Sequence, residues 1–289
     1  MLLQFLINGL ITGILYSLSA IGFALVYNTT RIFHIAAAAL YVIAAYALFY
    51  SYNFWNFSLP FAIIVAIIIT ALFSVGMEWT VYRPLYNKKS SLYVVMIASI
   101  GLMIVLVNLV AMFFGNETKI INNAIQKTYT YSDIIITTPQ MLQLVVGIAF
   151  IIGFMLFLRF TRFGLQTRAL SCNNNLFLTM GYSIRATRLK VFALSGVFLA
   201  LASSLTVYDI GLNPHMGMSV LINAMVAMII GGVGRFNACV LGGVTLGILQ
   251  SLAVYQFASN WQNAITFLVL ILFLFLRPQG FIGYKKRLV

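Results

Sequence analysis

The chain has 289 residues, of which 62% are hydrophobic and only 7% charged, with a mean hydropathy of +1.03 and a formal net charge of +13. Soluble domains carry roughly 25% charged residues, so this composition excludes a water-covered globular surface. The apolar runs are continuous and of helix length rather than short and alternating, which excludes a closed barrel and makes the chain an all-α, polytopic transmembrane helical bundle within a single domain, 1–289.

In chain order, apolar spans are expected near 5–27, 35–50, 60–82, 92–114, 141–160, 191–209, 219–234, 237–258 and 262–276. Those near 35–50, 219–234 and 262–276 are short enough to be tilted, broken or re-entrant, so the count is eight or nine. The first run lacks a basic leading region and continues for more than about 20 residues, which reads as a retained span rather than a signal peptide. It carries Asn8, Tyr16 and the spacing Gly9-x3-Gly13, which lets helix backbones approach closely in lipid. His34 stands at the edge of the second span. Glu78, five residues before Arg83, reads as an interfacial carboxylate near that arginine. Asn108 lies within the fourth span and Asp209 closes the sixth. Asn223 falls in the seventh, ahead of a cluster that includes Gly243-x3-Gly247 and a sharp turn around Arg235.

Short loops on the cytoplasmic side collect Lys and Arg. With the N-terminus outside and the C-terminus cytoplasmic, all of the 17 basic residues except Lys119 and Lys127 fall on the inner side. Those two lie in the 115–140 loop with Glu117 and Asp133. The basic residues are scattered over five inner connections rather than gathered on a polar domain, so topology and contact with the lipid bilayer explain the charge, and nucleic acid is not an expected partner.

The motifs of an enzyme are missing. The sequence holds no HExxH, no GxSxG around a serine and no Gly-rich phosphate loop ending in Lys-Ser or Lys-Thr, so no ATPase engine and no cofactor is encoded here. Cys172 and Cys239 support neither a disulfide nor a metal site. Carboxylates that could bind a driving ion in mid-span are almost absent, which weighs against an ion-coupled carrier. The longest polar inner segment is 161–190. Helix connections usually run about 2–8 residues, so this one is more than a connector. Its middle reads as a short amphipathic helix, with Ser171 as N-cap, Leu176, Phe177, Met180 and Ile184 on one face, and Gly181 as terminator. Such a helix is either a docking surface or an element lying on lipid headgroups.

The stretches INGLITGILYSLSAIGFALVYNTTRI, ASIGLMIVLVNLVAMFFG, ALSGVFLALASSL, IIGGVGRFNACVLGGVTLGILQSL and FLVLILFLFLRPQGFIG make the chain resemble the permeases of branched-chain amino acid ABC importers, in order and over nearly its whole length. The resemblance implies an inner-membrane permease paired with a second permease subunit, identical or paralogous. It also implies two cytoplasmic ATP-binding subunits and an extracytoplasmic solute-binding protein. It further implies that residues 171–184 form the coupling helix, with Asn173, Asn174, Asn175, Leu178 and Gly181 as contacts to the ATPase. Where the family usually reads an Asn-Phe-Ala-His-Gly-like stretch, this chain reads His34-Ile35-Ala36-Ala37-Ala38-Ala39, so His34 stands at the asparagine position. Asn8, Tyr16, His34, Asn108 and Asn223 are the candidate lining of the translocation pathway, and Gly9, Gly13, Gly243 and Gly247 the helix-packing glycines. The substrate class stays open between hydrophobic amino acids and urea, short amides or another small polar solute.

Overall fold

The computed structural model describes residues 2–121, 127–131, 134–172, 174–256, 261–277 and 279–282, with side chains at all of these except 131, 172 and 174–176. In chain order the helices are α1 (Leu2–Thr30), α2 (Ala37–Asn53), α3 (Leu59–Met77), α4 (Arg83–Asn87), α5 (Leu92–Phe114), α6 (Thr138–Phe160), α7 (Arg162–Cys172), α8 (Asn174–Thr179), α9 (Ile184–Ile210), α10 (Met216–Gly231), α11 (Phe236–Gln256) and α12 (Gln262–Leu276). A π-helical turn, Glu78–Tyr82, joins α3 to α4 without a break. The departures from an all-helical chain among the described residues are a small hairpin, β1 (Thr128–Tyr131) and β2 (Ile134–Thr137), in the register Thr128↔Thr137 to Tyr131↔Ile134, and an isolated antiparallel bridge between Lys119 and Leu212.

The elements start where local chemistry predicts. Thr137 and Gln140 form a reciprocal capping box at the head of α6, with Pro139 in its first turn, and Ser183 caps α9 by accepting from the Ala186 N–H. Among the described residues, six helices are long and apolar enough to cross a membrane: Leu2–Thr30, Leu59–Asn87, Leu92–Phe114, Thr138–Phe160, Ile184–Ile210 and Phe236–Gln256. The other three apolar segments, α2, α10 and α12, have 17, 16 and 15 residues. At 1.5 Å per residue they reach only about 22–26 Å, less than the ~30 Å hydrocarbon layer.

The bundle is built around α1 and α9. In their most apolar stretches 83% and 72% of residues are buried, against 22% for Leu59–Asn87 and α6 and 11% for α5. The short α2 is buried along nearly its whole length between α3, α9, α10 and α5. α3, α5, α6 and α12 form the rim and turn apolar side chains such as Leu72, Met112, Val145 and Phe275 outward. The packing pattern is unchanged when α1–α2–α3 is exchanged with α9–α10–α11. α1 packs on α11 as α9 packs on α3; α2 packs on α3 and α9, as α10 packs on α11 and α1. The two units also meet each other through α1 against α9 and α2 against α10.

Bonds between chain-distant segments show which helix ends share a face. Gln4 pairs with the Ile135 backbone, Gln143 bonds both the Leu205 carbonyl and Asp209, and Lys119 bridges Leu212 on one face. On the opposite face the Gly234 N–H donates to Asn28, Arg188 pairs with Glu78, and the Phe281 and Ile282 N–H groups donate to Ile230 and Gly231. That second face carries Arg31, Arg83, Lys88, Lys89, Arg162, Arg185, Arg235 and Arg277, while Lys119 and Lys127 belong to the first. Asp133, Lys285, Lys286 and Arg287 lie outside the described residues.

Candidate functional site

The helix-packing glycines sit together at the α1–α11 interface. A Cβ added to Gly9 would fall 2.8 Å from the Ile248 Cα, and one on Gly13 would fall 2.8 Å from the Val244 Cα. From the other side, a Cβ on Gly243 would meet the Ser17 backbone and one on Gly247 the Gly13 backbone. Backbones this close leave room for side chain-to-carbonyl bonds across the seam, and Ser17 Oγ donates to the Val240 carbonyl at 3.1 Å and Ser251 Oγ to the Phe5 carbonyl at 2.5 Å.

Two buried polar networks occupy corresponding places in the packing pattern. In the first, His34 Nδ1 lies 2.8 Å from the Tyr82 hydroxyl, which lies 2.8 Å from Ser99 Oγ. Ser99 in turn accepts from the Ala36 N–H at 3.0 Å. The His34 ring meets Tyr82 and Phe192 edge to face, and its Nε2 has no hydrogen-bond partner among the described residues. This network ties the head of α2 to the end of the Leu59–Asn87 helix and to α5. The second ties α10 to α11 and α12. Asn223 Oδ1 accepts from Gln250 Nε2 at 3.1 Å and from Thr266 Oγ1 at 3.2 Å, and Gln250 Nε2 also bonds Thr266 Oγ1. Gln262 extends it by donating to Gln250 Oε1 at 3.2 Å and to the Tyr16 hydroxyl of α1 at 3.4 Å.

Of the five residues expected to line a pathway, the structure thus brings Tyr16 and Asn223 into one network and places His34 in the other. Asn8 and Asn108 join neither. Asn8, half-buried near the start of α1, accepts from Gln4 at 3.2 Å, and Asn108 is exposed on the rim of α5 with its amide donating to the Ile104 carbonyl. The alanines after His34 have a steric reason. α2 approaches α10 so closely that a Cβ on Gly217 would collide with the Ala38 carbonyl, and Ala37, Ala38 and Ala39 are all buried. The cavity enclosed there by α1, α2, α9 and α10, lined by Ser19, Ala38, Tyr41 and Leu221 among others, is about 10 Å³, room for about one water. An amino acid does not fit in it.

Glu78 feels the charge of Arg83, as its position five residues before it suggested, but it is buried rather than interfacial and its direct partner is Arg188, whose Nε and Nη2 donate to Oε1 and Oε2 at 2.7 and 3.0 Å. A carboxylate inside an apolar run signals that a cation must be near, but the pattern does not say which. Gln250, Thr266, Tyr82 and Ser99 were likewise not singled out. Each is an ordinary polar residue in an apolar run until folding gives it a partner.

The segment expected to dock a partner is two helices rather than one. α7 runs through to Cys172, so Ser171 is not an N-cap; its Oγ instead donates back to the Thr167 carbonyl at 2.8 Å. Asn173 lies outside the described residues. Asn174 and Asn175 open α8, and their side chains are likewise outside the described set. The expected apolar face is divided: Phe177 and Ile184 pack with Leu170 in a small core and Phe177 stacks on Tyr182, while Met180 is exposed by 60% and the Leu176 side chain lies outside the described set; Leu178, expected as a contact, is exposed by 55%. Gly181 adopts φ +78° after α8, a conformation that favours glycine, and its N–H donates to the Leu178 carbonyl at 3.0 Å.

Residues 5–274 match the model of the family described as branched-chain amino acid transport system / permease component. The chain belongs to this family. It is 29% identical to the high-affinity branched-chain amino acid transport system permease protein BraD of Pseudomonas aeruginosa, over 97% of this chain and 95% of that one. It is 25% identical to LivH of Escherichia coli over the same shares, and 25% identical to a probable LivH of Methanocaldococcus jannaschii over 95% and 92%. Its fold matches PsaBC from Streptococcus pneumoniae, solved in complex with Fab, with a TM-score of 0.54 at 15% identity, covering 96% of this chain and 93% of that one. As a member of this permease family with several long apolar helices, the chain is a multi-pass membrane transport subunit and not an enzyme.

Proposed function

We propose that this chain is one permease of an ATP-driven importer for branched-chain or related hydrophobic amino acids in a bacterial inner membrane. It works beside a second permease subunit with two cytoplasmic ATP-binding subunits and an extracytoplasmic binding protein. The family match over residues 5–274 carries this reading. The charge asymmetry supports a topology with the basic face in the cytoplasm and the N-terminus outside. Alternation of helix ends between the two faces supports nine crossings, with α2, α10 and α12 tilted or set in a locally thinner layer.

The coupling element is α7–α8 and the turn to Gly181. Leu178 and Met180 are its apolar knobs for a cleft in the ATPase, Asn173, Asn174 and Asn175 are further proposed contacts, and Gly181 sets the turn. Its position on the basic face, together with the exposed Leu178 on a short helix fastened by Phe177 and the exposed Met180 in the turn after it, supports that role. The water-sized cavity at the bundle centre supports a route between two permease subunits rather than through one. Of the proposed polar lining, Asn8 and Asn108 reach the surface of the bundle, whereas His34 and Asn223 are buried within it and Tyr16 is half-buried, and these three would meet such a route only as the halves rock between outward and inward openings. An ion-coupled carrier is disfavoured because Glu78 is committed to Arg188.

The test is uptake into liposomes. With the co-purified ATPase and binding-protein subunits, radiolabelled leucine enters only when ATP is present inside and binding protein outside, and Leu178→Asp reduces uptake at least tenfold while leaving membrane insertion intact. Leucine movement by this chain alone, driven by an ion gradient, would refute the reading.

A further inference from the structure

On the basic face, where the Leu59–Asn87 helix ends beside the head of α9, a cleft is lined by three arginines and one acidic residue: Arg83, Arg185, Arg188 and Glu78. Both oxygens of Glu78 are taken by Arg188, and the Arg188 guanidinium also lies 4.5 Å from the centre of the Tyr86 ring. Glu78 and Arg188 therefore neutralise each other. Arg83 and Arg185 have no ion-pair partner among the described residues, and although the Glu78 charge also acts on Arg83, one carboxylate against three arginines leaves the cleft with an excess of two positive charges. The first turn of α9 contains no acidic residue, so the positive end of that helix adds to the same field.

The surroundings of the cleft identify the anion. The helix that leads into it is apolar and outward-facing, with Ile68, Leu72 and Trp79 exposed by 54%, 66% and 64% and open space beside Gly76. Trp79 and Tyr86 near the end of such a helix are the ring types that settle at the level of lipid headgroups. A ligand held here has to be anionic at one end and compatible with hydrocarbon at the other. Guanidinium forks match phosphate oxygens two at a time, and the amide of Asn87, which also lines the cleft, adds a donor.

The interior of the cleft, about 10 Å³, has room for about one water, whereas Arg185 is exposed and Arg83 half-buried at its mouth. We propose that the mouth of this cleft binds the phosphate of an anionic phospholipid, with an acyl chain lying along the Leu72–Gly76–Trp79 side of the helix. The site is built from this chain alone; only its assignment to the inner leaflet rests on the topology proposed above. The bound lipid neutralises Arg83 and Arg185 next to the segment that leads from α8 into α9.

The experiment uses the complex purified in mild detergent and native mass spectrometry after addition of phosphatidylglycerol or of zwitterionic phosphatidylethanolamine. The complex is expected to retain phosphatidylglycerol preferentially. Arg83→Ala and Arg185→Ala each reduce that retention about fivefold, the double variant reduces it to the zwitterionic level, and Arg162→Ala, elsewhere on the same face, leaves it unchanged. The Glu78–Arg188 pair is untouched in these variants. Arg83→Lys/Arg185→Lys, which keeps the charge but loses the fork, is expected to fall between wild type and the double alanine variant.

Unchanged retention in the double alanine variant overturns the proposal. So does displacement of the lipid by millimolar inorganic phosphate, which would identify a soluble anion as the ligand. Loss of the ATPase subunits from the double variant with lipid retention intact would assign the cleft to an acidic protein surface and overturn it as well. ATP-dependent leucine uptake by the wild-type complex reports separately on the transport reading.

Discussion

The α1–α11 and α3–α9 interfaces hold corresponding positions in the packing pattern, yet they are held by different chemistry. The first is a seam of small residues, in which Gly9, Gly13, Gly243 and Gly247 bring two backbones together and two serines bond across. The second has one close glycine, Gly196, whose Cβ position lies 3.0 Å from the Ala71 Cα, and one serine bond, from Ser74 to the Phe192 carbonyl at 2.6 Å. It closes at the basic face with the buried Glu78–Arg188 pair. Lipid is as apolar as the helix surfaces, so burial alone cannot hold helices together, and each interface needs close van der Waals contact or polar bonds. The first relies mainly on contact distributed over four glycines, and the second concentrates its specificity in one ion pair.

This contrast yields a ranked set of stability changes, each measurable by thermal unfolding in detergent. Glu78→Ala is expected to be the most damaging, by about 3–5 kcal/mol, because it leaves the Arg188 guanidinium buried without a counter-charge. Replacing both partners, as Glu78→Met/Arg188→Met, should recover most of that loss. A double variant no better than Glu78→Ala would mean that the geometry of the pair, not its charge balance, holds α3 to α9.

Gly247→Ala should follow at about 1–3 kcal/mol, since its new methyl group meets the Gly13 backbone rather than a movable side chain. Gly196→Ala, with its nearest atoms at 3.0 Å, should cost less, so equal losses at the two glycines would erase the distinction between the interfaces.

The smallest change is expected from Asn223→Ala, about 0.6–1.7 kcal/mol, between the average and the largest values for interhelical side-chain hydrogen bonds in a membrane protein. The same variant sharpens the role of the second network. An altered KM for leucine uptake with little loss of stability assigns Asn223 to the pathway, and the reverse assigns it to packing.

Much of this was legible in the sequence. The helical runs, their order and the uneven spread of basic residues come directly from local hydropathy and charge, and the Gly-x3-Gly pairs marked the two helices that meet most closely. Even the short runs near 35–50, 219–234 and 262–276 stood out from the longer ones. The functional clusters were less legible. Asn8, Asn108 and Asn223 look alike in the sequence as amides in apolar runs, but one is half-buried near a helix end, one faces outward and one is the centre of a three-helix network. The coupling segment was visible as a long polar loop, whereas its division into α7 and α8 was not. Ser171 satisfies the N-cap rule, yet the helix before it does not stop there.

The comparison of α2 with α5 shows where sequence information ends. Both are strongly apolar on every side, but α2 is buried nearly throughout and α5 buries only Val95 and Ser99. In water the contrast between polar and apolar faces reveals which side of a helix points inward. In a bilayer the outward face is also apolar, so that signal vanishes. Local sequence is enough to establish a bundle of membrane helices with one basic face, because each residue's transfer energy and charge act locally. It takes the packed fold to bring Glu78 to Arg188 and His34 to Tyr82, and to set Arg83 and Arg185 around one cleft with an excess of positive charge. Each helix satisfies its own backbone bonds, so the partners of its few polar side chains depend on which helices pack together.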